Sequence, residues 1–485
     1  MASIKKNFLY NAILTMSGYI FPLMVYPYVS RVLGVTNMGA CNFVDSIVEY
    51  FTIISMMGMN TIGIREIAKC KGDRAKLDTT FSELFSLNTI TTLFAIICLV
   101  IAIQFIPKLM PYKELLYIGV GKLFFNYMLI NWFFQGLENF KYIAARTIFV
   151  KILFVISVFS FVKNNTDFQI YYLLVCLTWA GNGIINFIYA KKFVSFHFTF
   201  KIQKKFVKSF FMLGFYWMMN SMYTTFNVAF LGFSTNDTEV GYYTTANKLL
   251  LIIMALFTTF TSVMVPRISN VLSSHSPNNI NEAKKLIEKG INALLLLGFP
   301  LIFFVIPYSQ EIIYIMSGHG YEGAIIPLQI MAPLFFLIGY DQIIVLQTLL
   351  PLGKDSVILR ISFYAALIGI IFNVILVPCY GSIGCSIVLL LAEITVLTLS
   401  QLAVRKSIGL TFPIMAVAKH FICFIPVLVI CYMLKKTINI NIAAMLLSFI
   451  VTFIYILAIG CFFIKNKELI KLIKNKRKLF THYKK

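Results

Sequence analysis

Residues 361–392 read ISFYAALIGIIFNVILVPCYGSIGCSIVLLLA, without a single Asp, Glu, Lys or Arg. A helix rising about 1.5 Å per residue crosses a ~30 Å hydrocarbon core in about 20 residues. The stretch is therefore too long for one crossing, and the predicted break at 379–381 divides it into helices near 357–378 and 382–404. Outward from it, further charge-free runs occur at 7–30, 84–107, 168–190, 209–236, 290–310 and 437–464. Transmembrane β-barrels would show short alternating segments instead of long continuous runs. The sequence predicts an all-α polytopic membrane protein.

Composition agrees. The chain is 59% hydrophobic and 13% charged, against about 45–50% apolar and about 25% charged in soluble domains. The net charge of +23 would suggest nucleic acid in a soluble protein. Here the basic residues flank the apolar runs, so topology and anionic lipid explain them better, and no nucleic-acid partner is expected. The first apolar run carries Pro22 and Pro27, has no small-residue cleavage site and precedes many further runs, so it reads as a retained helix. The nine cysteines are scattered without a CxxC pair, which predicts neither a disulfide framework nor a metal site.

About fourteen helices are predicted, near 9–31, 39–64, 80–106, 115–136, 146–163, 169–190, 209–232, 240–265, 290–308, 325–350, 357–378, 382–404, 415–434 and 440–464. With the N-terminus inside, 34 of the 42 Lys and Arg residues fall on the cytoplasmic side. That bias predicts cytoplasmic termini at both ends. The expected setting is a bacterial plasma (inner) membrane. The outer loops are short, the longest near 309–324.

A shift of 202 residues superposes Phe8 on Phe210, Gly39 on Gly241 and Arg65 on Arg267. It also maps helices 1 and 2 onto 7 and 8 in the same orientation, as in two parallel repeats related by an axis along the membrane normal. The predicted organisation is an N-lobe of six helices over 1–200 and a C-lobe of six over 201–410. Residues 411–485 add two C-terminal helices and a basic tail.

Charged residues at membrane depth cost roughly 2.5–3.5 kcal/mol each on insertion scales, so they mark candidate sites. Asp45 and Glu49 lie four apart on one face of helix 2. Lys122 falls in helix 4, Lys248 in helix 8, Asp341 in helix 10 and Glu393 in the middle of helix 12. Arg31 ends helix 1, while Arg65 and Arg267 at helix ends fit snorkelling. Arg31, Lys122 and Lys248 are the candidate cations for an anionic substrate. Asp45, Glu49, Asp341 and Glu393 are candidates for taking up a coupling ion, H+ or Na+. Lys–Asp/Glu pairing between helices is the structural alternative. Asn and Gln recur in the spans, Asn126, Asn131, Asn182 and Asn186 among them, and usually bond between helices. Amides and aromatic faces are also what a sugar-binding cavity would use. Pro22, Pro27, Pro300 and Pro333 are expected to interrupt helices 1, 9 and 10.

No GxxxxGK[ST] motif is present, so no nucleotide-driven pump is built in, and the dispersed histidines form no HExxH. No cofactor is expected. The short outer loops, with only Glu311 and Glu322 as acids in the longest, disfavour a membrane glycosyltransferase or polymerase.

Three segments carry a family resemblance. KKNFLYNAILTMSGYIFPLMVYPYVSRVLGVTNMGACNF, running on to GMNTIGIREIAK (58–69), resembles the opening helices of the Wzx-type repeat-unit flippases. These form the polysaccharide-exporter branch of the multidrug/oligosaccharidyl-lipid/polysaccharide (MOP) superfamily. NWFFQGLENFKYIAAR (131–146), with motif residue Glu138, and VGYYTTANK (240–248) are similar to two further elements of that family. The resemblance implies translocation of undecaprenyl-diphosphate-linked oligosaccharide for O-antigen or capsule synthesis. It implies a basic cavity between two lobes and helices 13 and 14 near the polyprenyl tail. Membrane lipids, a polysaccharide polymerase and a chain-length regulator are its further implied partners. A drug/cation antiporter of the same superfamily is the alternative reading, and acids outweighing bases in the cavity would favour it.

Overall fold

In lipid the backbone must satisfy its own hydrogen bonds, and the apolar segments among the described residues do so as helices. The computed structural model describes residues 4–70, 72–222, 224–272, 277–438 and 440–462; the basic 465–485 segment lies outside them. The elements run α1 Ile4–Met56, α2 Met59–Ala68, α3 Arg74–Phe105, α4 Lys113–Tyr127, α5 Asn131–Gly136, α6 Phe140–Phe161, α7 Phe168–Ala190 and α8 Lys204–Ser221. They continue with α9 Thr225–Ser234, α10 Asp237–Leu272, α11 Pro277–Ser317, α12 Ile325–Met331, α13 Leu334–Asp341, α14 Asp355–Ile408, α15 Ile414–Thr437 and α16 Asn441–Phe462.

Among the described residues, eight helices are long and apolar enough to cross a membrane, and a pair bent by 45° at Ala332–Pro333 adds a ninth. Two of these are broken by non-helical backbone at a glycine within the run. α1 bends at Gly34, whose φ of +75° suits glycine, and α14 bends at Gly381 with φ +54°. Divided there, the elements are compatible with the fourteen predicted crossings. The all-α polytopic class is as predicted.

The prolines behave differently from expectation. Pro22, Pro27 and Pro300 lie inside continuous helices, and of the four only Pro333 marks a break. A proline removes one backbone hydrogen bond, and neighbouring helices can compensate for it in a packed bundle. The unpredicted breaks fall elsewhere: at Met57–Gly58, at Met128–Ile130 and between α8 and α9.

Cα packing divides the chain into two units. The first comprises Met1–Thr245, Met316–Gly323 and Ala366–Leu389; the second comprises Ala246–Ile315, Ala324–Ala365 and Leu390–Lys485. In the first, one core is aromatic, with Phe81, Phe85, Trp132, Phe133, Phe134 and Phe210 packed with Met59 and Ile62. Glycines let backbones close up, the usual device where lipid supplies no hydrophobic drive between helices. A Cβ on Gly63 would enter the Trp132 ring, and one on Gly136 would strike Ile67. A Cβ on Gly39 would overlap the Asp237 carbonyl, and one on Gly241 would overlap the Val35 carbonyl. The three segments that carried the family resemblance are thus sites of close helix contact. At the Gly381 bend, Glu239 Oε2 accepts from Ser382 N at 2.7 Å. Tyr112 donates to Asp237 Oδ1 at 2.8 Å. Burial first, and then that carboxylate, raise its phenol above the ordinary range.

In the second unit α11, α15 and α16 are buckled by buried polar contacts. Lys435 Nζ meets Glu311 Oε2 at 2.9 Å and the Pro307 carbonyl at 2.8 Å. The Tyr308 hydroxyl reaches Ser448 Oγ at 2.7 Å. Glu311, expected in an outer loop, is buried inside α11, which runs on to Ser317.

Candidate functional site

Met57 and Ile130 are neither glycine nor asparagine, yet they adopt φ of +33° and +31°. Such backbone costs of order 1–3 kcal/mol and persists only when its surroundings enforce it. Both residues line one cavity of about 420 Å3 in the first unit, and Thr224 of the α8–α9 break lines it too. Three interrupted helices therefore meet around one space. Irregular backbone at membrane depth is tolerated where it lines a cavity, and discontinuous helices are where transporters place their sites. The break at Gly58 is partly satisfied by its neighbour, since Gly58 N donates to the Phe210 carbonyl at 3.2 Å.

Glu49 joins the cavity lining to a charge cluster beside it. Lys122 of α4 is 3% exposed, and its Nζ lies 2.6 Å from Asp45 Oδ1 and 3.8 Å from Glu49 Oε2 of α1. The two carboxylate side chains are each 40% exposed. Tyr172 adds a hydrogen bond to Asp45 at 3.3 Å, and the ammonium stands 5.2 Å from the Trp179 ring. Two carboxylates face one ammonium in this cluster, and Glu49 is the member that lines the cavity.

The lining also carries amides. Asn131 Oδ1 accepts from Arg146 Nη2 at 3.2 Å and from Asn186 Nδ2 at 3.3 Å. Because both partners are donors, the Asn131 carbonyl oxygen is pinned away and its NH2 is left for the cavity. Asn186 Nδ2 also donates to the Leu129 carbonyl. Arg146 is 6% exposed and gives its other bonds to the Asn182 carbonyl and Thr147 Oγ1. Sequence reading had placed Arg146 at a cytoplasmic helix end. The helix starts six residues earlier, at Phe140, and the guanidinium is buried within the bundle. Asn126, one turn after Lys122 on α4, is a further amide of the lining, 4% exposed, with Nδ2 unpartnered.

The structure brings Lys122, Asp45 and Glu49 together but not the other predicted site residues. Arg31 is exposed beside Gly318, its Nη1 donating to the Pro27 carbonyl at 2.6 Å. Lys248 is half-buried on α10, in the second unit. Asp341 and Glu393, also in the second unit, are both buried, and Ser400 Oγ donates to Asp341 Oδ1 at 3.2 Å. Glu138 is exposed in the α5–α6 turn with φ +59°, and its N–H closes the turn onto the Gln135 carbonyl at 2.9 Å. Trp179, Trp217 and Arg146 were not singled out from the sequence. An interrupted pattern of Asn and Trp within apolar runs was their only signal.

Over residues 4–272 the chain matches the family described as polysaccharide biosynthesis protein. The chain belongs to that family. Among its relatives, a protein named as an O-antigen transporter in Escherichia coli (strain K12) is 25% identical over 416 residues, 84% of this chain and 97% of the relative. A protein of Haloferax volcanii named for low-salt glycan biosynthesis flippase activity is 26% identical over 250 residues, 50% of this chain and 51% of its own. Among solved structures, the lipid II flippase MurJ in an inward closed conformation superposes with a TM-score of 0.77 at 17% identity, over 96% of this chain and all 100% of that one. That likeness establishes a shared fold. The resemblance read from the sequence is borne out.

Proposed function

We propose that this chain carries undecaprenyl-diphosphate-linked oligosaccharide repeat units from the cytoplasmic to the outer leaflet of a bacterial inner membrane, for O-antigen or capsule synthesis. It acts as a transporter by alternating access between two six-helix lobes, 1–200 and 201–410, with residues 411–485 appended and both termini cytoplasmic. The carrying observation is the cavity enclosed by three broken helices in a member of a polysaccharide biosynthesis family. Polymerase and chain-length regulator proteins are the partners to which such a product would pass.

H+ is the coupling ion we favour over Na+. Asp341 and Glu393 are acids buried inside spans, and an acid at that depth marks an ion path.

The test is translocation of a lipid-linked oligosaccharide in proteoliposomes, with surface polysaccharide restored in a flippase-null host. Failure of the purified chain to move the precursor at normal reconstitution yield would end the proposal. The acidic surplus at Asp45 and Glu49 is the feature that favours the drug/cation antiporter reading. Proton-coupled efflux of an apolar cation in the same liposomes would select it.

A further inference from the structure

Between α7 and α8 the chain leaves the helical state, and side chains of α3 hold its backbone, all within the first unit. The N–H groups of Ser195, His197 and Thr199 donate to Asp78 Oδ1 at 3.0 Å, Ser82 Oγ at 3.2 Å and Ser86 Oγ at 3.0 Å. Alternate N–H groups turned to one side are the mark of extended chain. Residues four apart share a helix face and rise about 6 Å, while two extended residues span about 6.6 Å. The two periods match, so this strap advances along α3 instead of crossing it. From Asp78 to Ser86 it travels about 12 Å along the helix axis. It then reverses: Ile202 N donates to the Phe200 carbonyl at 3.0 Å, and the buried Glu83 carboxylate accepts from both Gln203 N and Nε2 at 3.1 Å. The turn at Phe200 therefore stands near the level of Ser86. Glu83 is the last charged residue before the uncharged run 84–107, so this level is the edge of the hydrocarbon.

Outward, the strap shows aromatic and basic groups. Phe196 packs on Phe81 and Phe85. Phe198 and Phe200 are 47% and 81% exposed and meet each other edge to face, with ring centroids 5.0 Å apart. Lys191, Lys192, Lys201, Lys204, Lys205 and Lys208 are all exposed, and residues 191–208 contain no acid. Among the described residues, none of the six makes an ion pair. Rings at the hydrocarbon edge with ammonium groups reaching past them suit the headgroup layer, where each part finds its own solvent. Anionic headgroups supply the counter-charge that the chain itself does not. We propose that the strap is a docking surface for anionic phospholipid, with Phe198 and Phe200 entering the edge of the hydrocarbon and the six lysines meeting headgroup phosphates. The Asp78–Ser82–Ser86 ladder is what lets irregular backbone lie at that depth. This surface is present whatever the chain transports.

The test uses the full chain. In nanodiscs of phosphatidylcholine and phosphatidylglycerol, with p-benzoylphenylalanine in place of Phe200, irradiation is expected to give lipid adducts on the strap, read by mass spectrometry. Adducts to the chain itself without lipid would overturn the proposal. In detergent, the melting temperature of the parent should rise on adding short-chain phosphatidylglycerol, and not on adding phosphatidylcholine or inorganic phosphate. The fourfold variant Lys201→Gln, Lys204→Gln, Lys205→Gln, Lys208→Gln should raise the half-saturating phosphatidylglycerol concentration about tenfold or more. Phe198→Ala with Phe200→Ala should shift it in the same direction. Should the fourfold variant fail to fold, Lys201→Gln with Lys204→Gln carries the comparison at a smaller shift. A parent-like titration in a folded variant overturns the docking surface, as does an equal rise with phosphate alone, which would make it a site for a free anion.

Discussion

The hydroxyl groups of Thr36 and Thr238 hydrogen-bond to each other at 3.0 Å across a separation of 202 residues. That separation is the offset on which Phe8, Gly39 and Arg65 repeat as Phe210, Gly241 and Arg267. If the two halves are repeats, as the offset predicts, equivalent positions would touch only on the axis relating them. Asn42 donates to Thr244 at 3.0 Å with the same offset, and Gly39 and Gly241 each lean on the backbone four residues before the other. Near this axis, Asn37 reaches the Asn165 carbonyl at 2.7 Å just before α7, while its equivalent, Glu239, binds Ser382 N just after the Gly381 bend.

Opening on the side of the Gly34 bend requires this axial contact to part. The double variant Thr36→Cys with Thr238→Cys places two sulfurs within disulfide reach. Oxidation is expected to abolish surface polysaccharide in a null host, and a reductant to restore it. Undiminished export by fully cross-linked protein would show that these helix starts stay together throughout the cycle.

Gly39→Val and Gly241→Val should each destabilise the bundle, since the new side chain meets a backbone carbonyl that cannot rotate away. Overpacking of this kind costs about 1–3 kcal/mol or more. The expected readout is a lower melting temperature in detergent, larger than that of Thr36→Val, which loses one hydroxyl contact.

Lys122→Met would leave Asp45 and Glu49 facing each other without a cation. Breaking a buried pair costs about 3–5 kcal/mol. The acids here are 40% exposed, which puts the expected loss at the low end. Adding Asp45→Asn and Glu49→Gln should recover most of the melting temperature. A double-mutant cycle in which Lys122 and Asp45 prove additive would contradict the pairing.

Lys435→Met should loosen α15 from α11, because Glu311 is 4% exposed on its side chain and has Lys435 as its ion-pair partner. Glu311→Gln should be milder, keeping a hydrogen bond without the charge. Limited proteolysis near 409–413 with melting curves distinguishes the two, and equal curves would mean that Tyr308 and Ser448 alone hold the buckle.

Glu393→Gln removes one of the two carboxyls buried inside spans of the second unit. Transport by this variant is expected to ignore an imposed proton gradient while still equilibrating substrate. A gradient response equal to that of the parent would place the coupling elsewhere.

Much of the bundle was legible because a crossing leaves a long uncharged run. The predicted ends fell short, at 9 for α1 and 290 for α11, because both helices continue into charged water-facing turns. The breaks at Met57 and Ile130 were illegible. Neither carries a proline, and their left-handed backbone is imposed by packing around a space that a linear pattern cannot encode. Asp45 and Glu49 were legible as one helical face, and Lys122 as a buried charge. Their meeting was not, since it depends on where α4 lies against α1. Arg146 was hidden among cytoplasmic basic residues by a helix start misplaced by six positions.

The contact between Gly39 and the turn at Gly241 has the form of an isologous interface, in which one patch meets its own copy across a two-fold axis. A six-helix half inserted twice in the same orientation would make that interface as a homodimer. Fusing the two copies would keep the axis while freeing each side to change alone, and the exchange of asparagine 37 for glutamate 239, or asparagine 42 for threonine 244, is what such freedom leaves behind. In evolutionary terms, the site draws unequally on the two halves: the breaks at Met57 and Ile130 and the Lys122 cluster belong to the first, and the α8–α9 break with the buried acids Asp341 and Glu393 to the second.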